Sequence, residues 1–441
     1  MLFWAYQLLF PLVLLGVAAK LVISGRGAIL KETGPQLRQR LGLLSDEELS
    51  HVKSEDGVLW VHAASVGEVN AAAPLIEYIL TSPRAPKLVL TTSTAAGQRR
   101  AQSLPLHPDL AVLAPCDFLP CLGAFLRRVR PFALLIIETE LWPATLRAVA
   151  RTRAKILLAN GRVTPRALSR YRWILPMMRP LMAAISRAAV QSQEDAARFA
   201  ELGVPPVAIL PLGNMKNDLA LPSESERSQA AGVLRGLGWI ASPIWTAGST
   251  WPDEEEAVIA AYAAARKRSP GLKLILAPRH VERCGETQRM LARAGIAFDT
   301  YSARAEGSAE TTDADCLLVD RLGALRGLYT ASDLVFVGGT LNSVGGHNLL
   351  EPAMAGKPVL FGPSTTNAAE AARSLEYGGG GFRVRDGAEL GQAVERLLSD
   401  RVAREEAGRK AAETARLLSG ATRKTFEFLS PVLFPELPDN L

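Results

Sequence analysis

The sequence predicts an α/β protein of two Rossmann-like domains behind an apolar N-terminal helix. Short apolar runs alternate with helical-period segments over most of the chain, the alternation lapses once between Asp218 and Pro243, and Leu2 to Ala19 are almost wholly apolar. With 441 residues, 48% of them apolar, the chain is long enough for two domains of about 200 residues, each with its own core.

Only Tyr6 and Gln7 interrupt the N-terminal run, and about 18 to 20 such residues just span a bilayer. Lys20, Arg26 and Lys31 follow. A cleavable signal peptide carries its charge before the apolar run; here the charge comes after, so residues 1–22 are expected to anchor the protein in the inner membrane with its body in the cytoplasm. A core helix, or one lying flat in the interface, has the same composition.

Fifty basic against 44 acidic residues leave a net +6. That is too mild for a dedicated nucleic-acid binder and suits an anionic partner met on one face. Cys116, Cys121, Cys284 and Cys316 lack CxxC spacing and read as buried thiols, not as a zinc site or disulfide framework.

In the first domain, residues 45–218, strands are expected at Val58–Val61, Leu88–Thr92, Ala111–Pro115, Leu134–Ile137, Ile156–Ala159 and Ala208–Leu212. Residues 219–242 read as a linker. The second domain, 243–430, carries strands at Ile244–Ala247, Leu274–Ala277, Leu317–Val319, Leu334–Val337, Val359–Phe361 and Phe382–Val384, then a charged helical stretch from Ala388 to about Phe428. Two such domains leave a central cleft between the carboxyl ends of their sheets, so ligand-binding residues belong just after strands.

After the first strand, His62-Ala-Ala-Ser65-Val-Gly67-Glu68 hands over to a helix and sets Glu68 near its N-terminus. Ser65 and Glu68 also have the spacing of a capping box, and spacing alone does not choose between cap and catalyst. The hydroxyl-rich turn from Thr91 reads as a cap. In Leu134-Leu-Ile-Ile-Glu138-Thr-Glu140-Leu-Trp142-Pro143, two carboxylates follow a fully apolar strand, where charge is costly unless paired or used. Glu138 is the stronger candidate, with Glu140 left open. From Leu141 through Gln193 there are ten Lys or Arg residues and no acid, which implies contact with phosphate or an anionic leaflet. Lys216, in Gly213-Asn-Met-Lys216, follows the last strand and can offset anionic charge.

In the second domain, Pro252 and the acids after it are good helix N-terminal chemistry. Pro278-Arg279-His280 ends a strand. Gly338 to Glu351 runs from a strand through a glycine-rich loop, with Gly345-Gly346-His347-Asn348 before Leu349-Leu350-Glu351. Free amides at that helix start suit a nucleotide phosphate, and Glu351 can accept from ribose hydroxyls. Neither G-K-[ST] nor G-x-G-x-x-G is present.

Together His-x-x-Ser-x-Gly-Glu, Glu-Thr-Glu-Leu-Trp-Pro, Gly-x-x-Lys, Pro-Arg-His and Gly-Gly-His-Asn-x-x-Glu closely resemble the 3-deoxy-D-manno-octulosonic acid (Kdo) transferases, over nearly the whole chain. The resemblance implies a GT-B fold and inverting transfer of Kdo from CMP-Kdo to a phosphorylated lipid A precursor, lipid IVA, at the inner leaflet. It implies Glu68 as general base, with Glu138 and Lys216 stabilising the transition state. CMP would lie against Pro278, Arg279 and His280, the Leu322-Gly323-Ala324 turn, and Gly346 through Glu351. No cofactor or metal is implied, since helix amides and cations can offset the leaving phosphate. One departure is Gln39-Arg40-Leu41-Gly42, where many members carry Glu-Arg-x-Gly; glutamine cannot act as a base. Two other readings remain open: a GT-B enzyme using a UDP-sugar on a membrane lipid, and a catalytically silent membrane-bound relative.

Overall fold

The computed structural model describes residues 2–23, 34–52, 57–218, 221–307 and 313–434, with the backbone alone over 13–23. The Lys20 side chain, Arg26 and Lys31 lie outside that description. Two compact units divide the chain: Met1–Asp218 with Gly420–Leu441, and Leu219–Ser419.

The first unit is built on β1 (Val58–His62), β2 (Lys87–Thr92), β3 (Leu110–Leu113), β4 (Pro131–Ile137), β5 (Lys155–Gly161), β6 (Ile185–Val190) and β7 (Ile209–Pro211). They form one parallel sheet in the order β3-β2-β1-β4-β5-β6-β7. The second contains β8 (Ile244–Thr250), β9 (Lys273–Pro278), β10 (Phe298–Thr300), β11 (Cys316–Leu318), β12 (Leu334–Val337), β13 (Val359–Phe361) and β14 (Gly381–Arg383), ordered β10-β11-β9-β8-β12-β13-β14. Central strands such as β1 are buried end to end because helices cover both faces, so their apolar runs are continuous rather than alternating. The strand order reverses between β1 and β4 in one sheet and between β8 and β12 in the other. Each switch point opens a crevice at the carboxyl end of its own sheet, where ligands bind in such folds.

Several elements differ from expectation. β6, Ile185-Ser-Arg-Ala-Ala-Val, has an interrupted apolar run, and β10 is three partly exposed residues, so neither stands out in the sequence. Residues 219–242 hold the helix Glu224–Gly236, started by a Ser223–Glu226 capping box and packed into the second unit through Ala230, Val233 and Leu234. The charged C-terminal stretch is three helices, Gly387–Ser399, Arg401–Leu417 and Ala421–Leu433, broken at Asp400, which caps the next helix, and at Gly420 with φ 88°. The last helix belongs to the first unit, where Ala421, Leu429 and Leu433 join the core. Asp218 caps it, its carboxylate accepting from the amides of Gly420 (2.5 Å), Ala421 (3.1 Å) and Thr422 (2.5 Å).

The N-terminal helix, Leu2–Ile23, packs on the first unit over its first turns. Phe3 and Gln7 are buried while Leu8, Leu9 and Leu12 are exposed. The two polar interruptions of the apolar run are the residues that dock it. Tyr6 donates to Asp117 Oδ2 (2.7 Å), and Gln7 exchanges hydrogen bonds with the Asp117 carbonyl (3.2 Å) and the Leu119 amide (2.8 Å). Asp117, itself buried, also accepts from the Ala144 (2.9 Å) and Thr145 (2.7 Å) amides at the start of the helix Pro143–Ala150. Arg147 lies over the Phe3 ring at 4.4 Å. Among the described residues no helix is long and apolar enough to cross a membrane.

Candidate active site

Beyond the buried end of β1 the chain turns through Ala63-Ala64-Ser65 into the helix Val66–Leu80. Ser65 is its N-cap, accepting from the Glu68 amide at 3.3 Å, while Glu68 Oε2 accepts from the Ala64 amide at 2.7 Å. Cap and candidate base are therefore the same arrangement, since the capping contacts hold the carboxylate still. Burial raises the Glu68 carboxyl above its ordinary range; the Ala64 hydrogen bond opposes this, and the Glu140 and Glu138 carboxylates add to it. A base raised toward neutrality accepts a proton more readily than an ordinary carboxylate.

Glu138 follows β4 across the switch point. Its φ is +62°, a left-handed conformation that costs a non-glycine residue roughly 1–3 kcal/mol and concentrates at functional sites. Its Oε1 meets Lys216 Nζ at 2.5 Å. Lys216 comes from a short 3-10 turn, Met215–Asn217, beyond β7. Between them is Asn160 on β5, also left-handed (φ 57°) and buried, whose Oδ1 accepts from the Met215 amide at 2.9 Å and whose Nδ2 points at Glu138 Oε1 at 3.4 Å. Asn160 thus sets the Lys216 turn against Glu138. It was not among the sequence candidates, although an Asn-Gly dipeptide closing an apolar strand was the available signal.

Glu140 takes a different hydrogen bond, from Trp142 Nε1 at 2.6 Å. The buried His62 ring holds Nε2 3.9 Å from Glu140 Oε2, beyond hydrogen-bond reach, and Nε2 has no other partner. The nearby ring, helped by Trp142, lowers the Glu140 carboxyl against the opposing effect of burial. Two neighbouring carboxylates are thus driven apart, Glu68 upward and Glu140 downward, a pattern that separates proton acceptor from fixed charge. Thr91 backs the ring, 2.9 Å from His62 Nδ1, and Thr94 caps its helix as expected.

In the second unit a pocket of about 230 Å³ brings together Pro278, Arg279, Leu322, Gly323 and Glu351 of the sequence candidates. Ser249 (φ 57°), Arg321 and Arg326 line it too and were not predicted; the basic residues flanking Leu322-Gly323 were the signal. Glu351 is raised by burial, with Arg326 opposing, and Asn348 lies 3.4 Å from it. His280 and His347 sit around Trp251 instead. His347 Nε2 accepts from Trp251 Nε1 at 3.0 Å, and burial, with Arg279 and His280 nearby, lowers its pKa and keeps it neutral. Ala324, Gly346, Leu349 and Leu350 are not in the lining; Leu349 and Leu350 are core side chains and Ala324 begins the helix Leu325–Ala331.

The glycine-rich loop is tied down where it leaves β12. Glu254, fully buried in the first turn of the helix Pro252–Arg268, accepts from the amides of Gly339 (2.6 Å), Thr340 (2.8 Å) and Leu341 (2.9 Å). These amides lie at the strand end of the loop, not at the helix start where phosphate is expected; that helix, Leu350–Met354, is only five residues long, and its Leu350 amide donates to Asn348 Oδ1 at 2.9 Å. The loop is held from behind by Glu254, and the pocket's cations are side chains.

Residues 35–219 match the family model described as 3-deoxy-D-manno-octulosonic-acid transferase (kdotransferase). A 3-deoxy-D-manno-octulosonic acid transferase of Haemophilus influenzae is 32% identical over 376 residues, covering 85% of this chain and 87% of that protein. The chain belongs to the Kdo transferase family. As a Kdo transferase it is a glycosyltransferase. It spans 55% of a bifunctional glycosyltransferase/methyltransferase of Fusobacterium nucleatum, 29% identical over 361 residues. In fold it is similar to a UDP-GlcNAc 2-epimerase from Neisseria meningitidis, with TM-score 0.57, 12% identity, and coverage of 85% of this chain and 99% of that one.

In this Kdo transferase Gln39 bonds Glu48, Gln98 and Leu113 rather than Glu68, Glu138 or Glu140. Its buried amide donates to Glu48 Oε1 (2.8 Å) and its oxygen accepts from the Leu113 amide (3.0 Å) and Gln98 (3.2 Å). Arg40 donates to the Ser93 carbonyl (2.7 Å), and Gly42 takes φ +74° where a Cβ would strike the Cys121 carbonyl. The motif ties the ends of β2 and β3 together. The acid-free block divides as well: Arg147 lies over Phe3, Arg172 pairs with Glu201 at 2.7 Å, and Arg187 donates to the Phe428 carbonyl at 2.6 Å. Arg162, Arg166 and Arg170 are exposed.

Proposed function

We propose that the protein transfers Kdo from CMP-Kdo to a phosphorylated lipid A precursor, with inversion, at the cytoplasmic face of the inner membrane. The observation that carries the proposal is Glu68, held by Ala64 and raised above its ordinary range beside the Glu138–Lys216 pair.

In this reading Glu68 takes the proton from the acceptor hydroxyl. The oxygen forms a bond to the anomeric carbon from the side opposite the nucleotide, the carbon–phosphate oxygen bond breaks, and CMP leaves with the electron pair. Lys216 and Glu138 balance charge around the sugar carboxylate as the bond shifts. Arg279, Arg321 and Arg326 line the second unit's pocket and offset the phosphate of CMP. The exposed Arg162, Arg166 and Arg170 meet the acceptor phosphate or the leaflet, and the apolar N-terminal helix keeps the enzyme at the membrane.

Incubating purified full-length protein with CMP-Kdo and lipid IVA should give a Kdo-bearing lipid of inverted anomeric configuration by NMR. Glu68→Gln should give none while still binding CMP. Product with the configuration retained, or unchanged turnover by Glu68→Gln, contradicts the mechanism.

A further inference from the structure

We propose that an apolar groove between the N-terminal helix and the segment around Trp173 seats an acyl chain of the acceptor, so that the groove sets which acceptors the enzyme prefers. This rests on the reading that the acceptor is a phosphorylated lipid.

The groove has a volume of about 680 Å³ and is lined by Leu2, Leu9, Trp142, Trp173 and Met177, with Glu140 among its few polar residues. Ligand sites fall in the range of roughly 300–1,000 Å³. One wall is the N-terminal helix, docked through Phe3, Tyr6 and Gln7. Trp173 is 88% exposed and Trp142 42%, and Leu8 and Leu12 of the same N-terminal helix are exposed as well. Large apolar side chains left in water as a contiguous patch mark an interaction site.

Two observations select the occupant. Glu140 lines the groove and also acts electrostatically on Glu68, so a chain lying in the groove belongs to a molecule whose polar head reaches the carboxylate cluster. The helix Pro165–Trp173, which ends at the groove, carries exposed Arg166 and Arg170 and no acid. An apolar peptide has no use for those cations, and a soluble anion has none for the groove. A phosphorylated amphiphile uses both.

Ala5 lines the groove and is exposed, so Ala5→Phe fills it from the helix side without disturbing the core. The first measurement compares kcat/KM for the acylated acceptor with kcat/KM for the same acceptor stripped of its acyl chains. Ala5→Phe should lower that preference about tenfold, the effect of leaving two methylenes in water. The second needs no turnover: an alkyl phosphate with a brominated chain should quench tryptophan fluorescence in the full-length protein, and Ala5→Phe or Trp173→Phe should remove most of the quenching. An unchanged preference, or quenching that survives both variants, overturns the proposal. A groove closed by a second copy of the chain would resist quenching as protein concentration rises, and overturns it too. Failure of the unsubstituted protein to transfer Kdo to any acceptor would instead refute the functional reading, and the quenching experiment would still decide the groove.

Discussion

Lys216 Nζ lies 2.5 Å from Glu138 Oε1, although the two side chains arrive from opposite ends of a run of four neighbouring strands, β4 to β7. Asn160, between them, bonds the backbone before Lys216 and faces the same Glu138 oxygen. The cation is thereby fixed at the switch point before any ligand arrives, which is the preorganisation that electrostatic catalysis requires.

Lys216→Met is expected to lower kcat by about 10²–10³, the usual effect of losing one preorganised charge-stabilising group. CMP affinity should change little, because the lysine belongs to the first unit and the CMP candidates to the second. Single-turnover rates and CMP titration check both halves; equal losses in kcat and CMP binding would contradict the assignment.

Glu138→Gly should abolish turnover without lowering Tm, since glycine adopts the +62° φ without strain. Thermal unfolding of the two proteins side by side tests this, and a Tm lowered by several degrees would mean that Glu138 is a structural tie.

Glu68 gives a pH prediction. Its folded pKa is raised by burial, so the protonated folded form is favoured: the stabilisation is fully present below the unfolded pKa and is lost as pH rises through the folded one. Transfer needs the ionised form, so kcat/KM should climb over the same range in which this stabilisation is lost. Glu140→Gln removes a repelling charge and should move the acid limb of the rate profile to lower pH. A limb that stays fixed, or shifts upward, rules out Glu68 as the titrating base.

Gln39→Glu would set a second carboxylate against Glu48, across what is now a 2.8 Å hydrogen bond. The loss of one buried hydrogen bond with both partners left charged should cost about 1–3 kcal/mol, visible as a lower denaturant midpoint. Glu48→Gln on the same chain should restore most of it; no recovery would mean the site is not a Gln–Glu pair.

Much of this was legible in the sequence. Parallel strands buried on both faces write themselves as continuous apolar runs, so β1, β4 and β5 and the residues after them were readable. β6 was not, because its polar residues break the run. Glu254 stands in a run that reads as helix-start chemistry, and nothing in Asp-Glu-Glu-Glu says which acid turns inward to hold a loop some 85 positions later. Asn160 and Asp117 are of the same kind: their importance comes from backbone amides brought to them by tertiary folding, which leaves no pattern in the residues alongside them. Glu68 is the converse, a residue whose local pattern was clear and ambiguous because one geometry serves as both cap and base.

The docked N-terminal helix bears on how this enzyme can be handled. Removing residues up to Ile23, the ordinary route to a detergent-free preparation, would empty the Phe3 seat, take the aromatic partner from Arg147 and leave the Asp117 carboxylate without Tyr6. The shortened protein would have lost part of its domain and not a tether alone, and poor yield or activity from it would report on folding, not on chemistry.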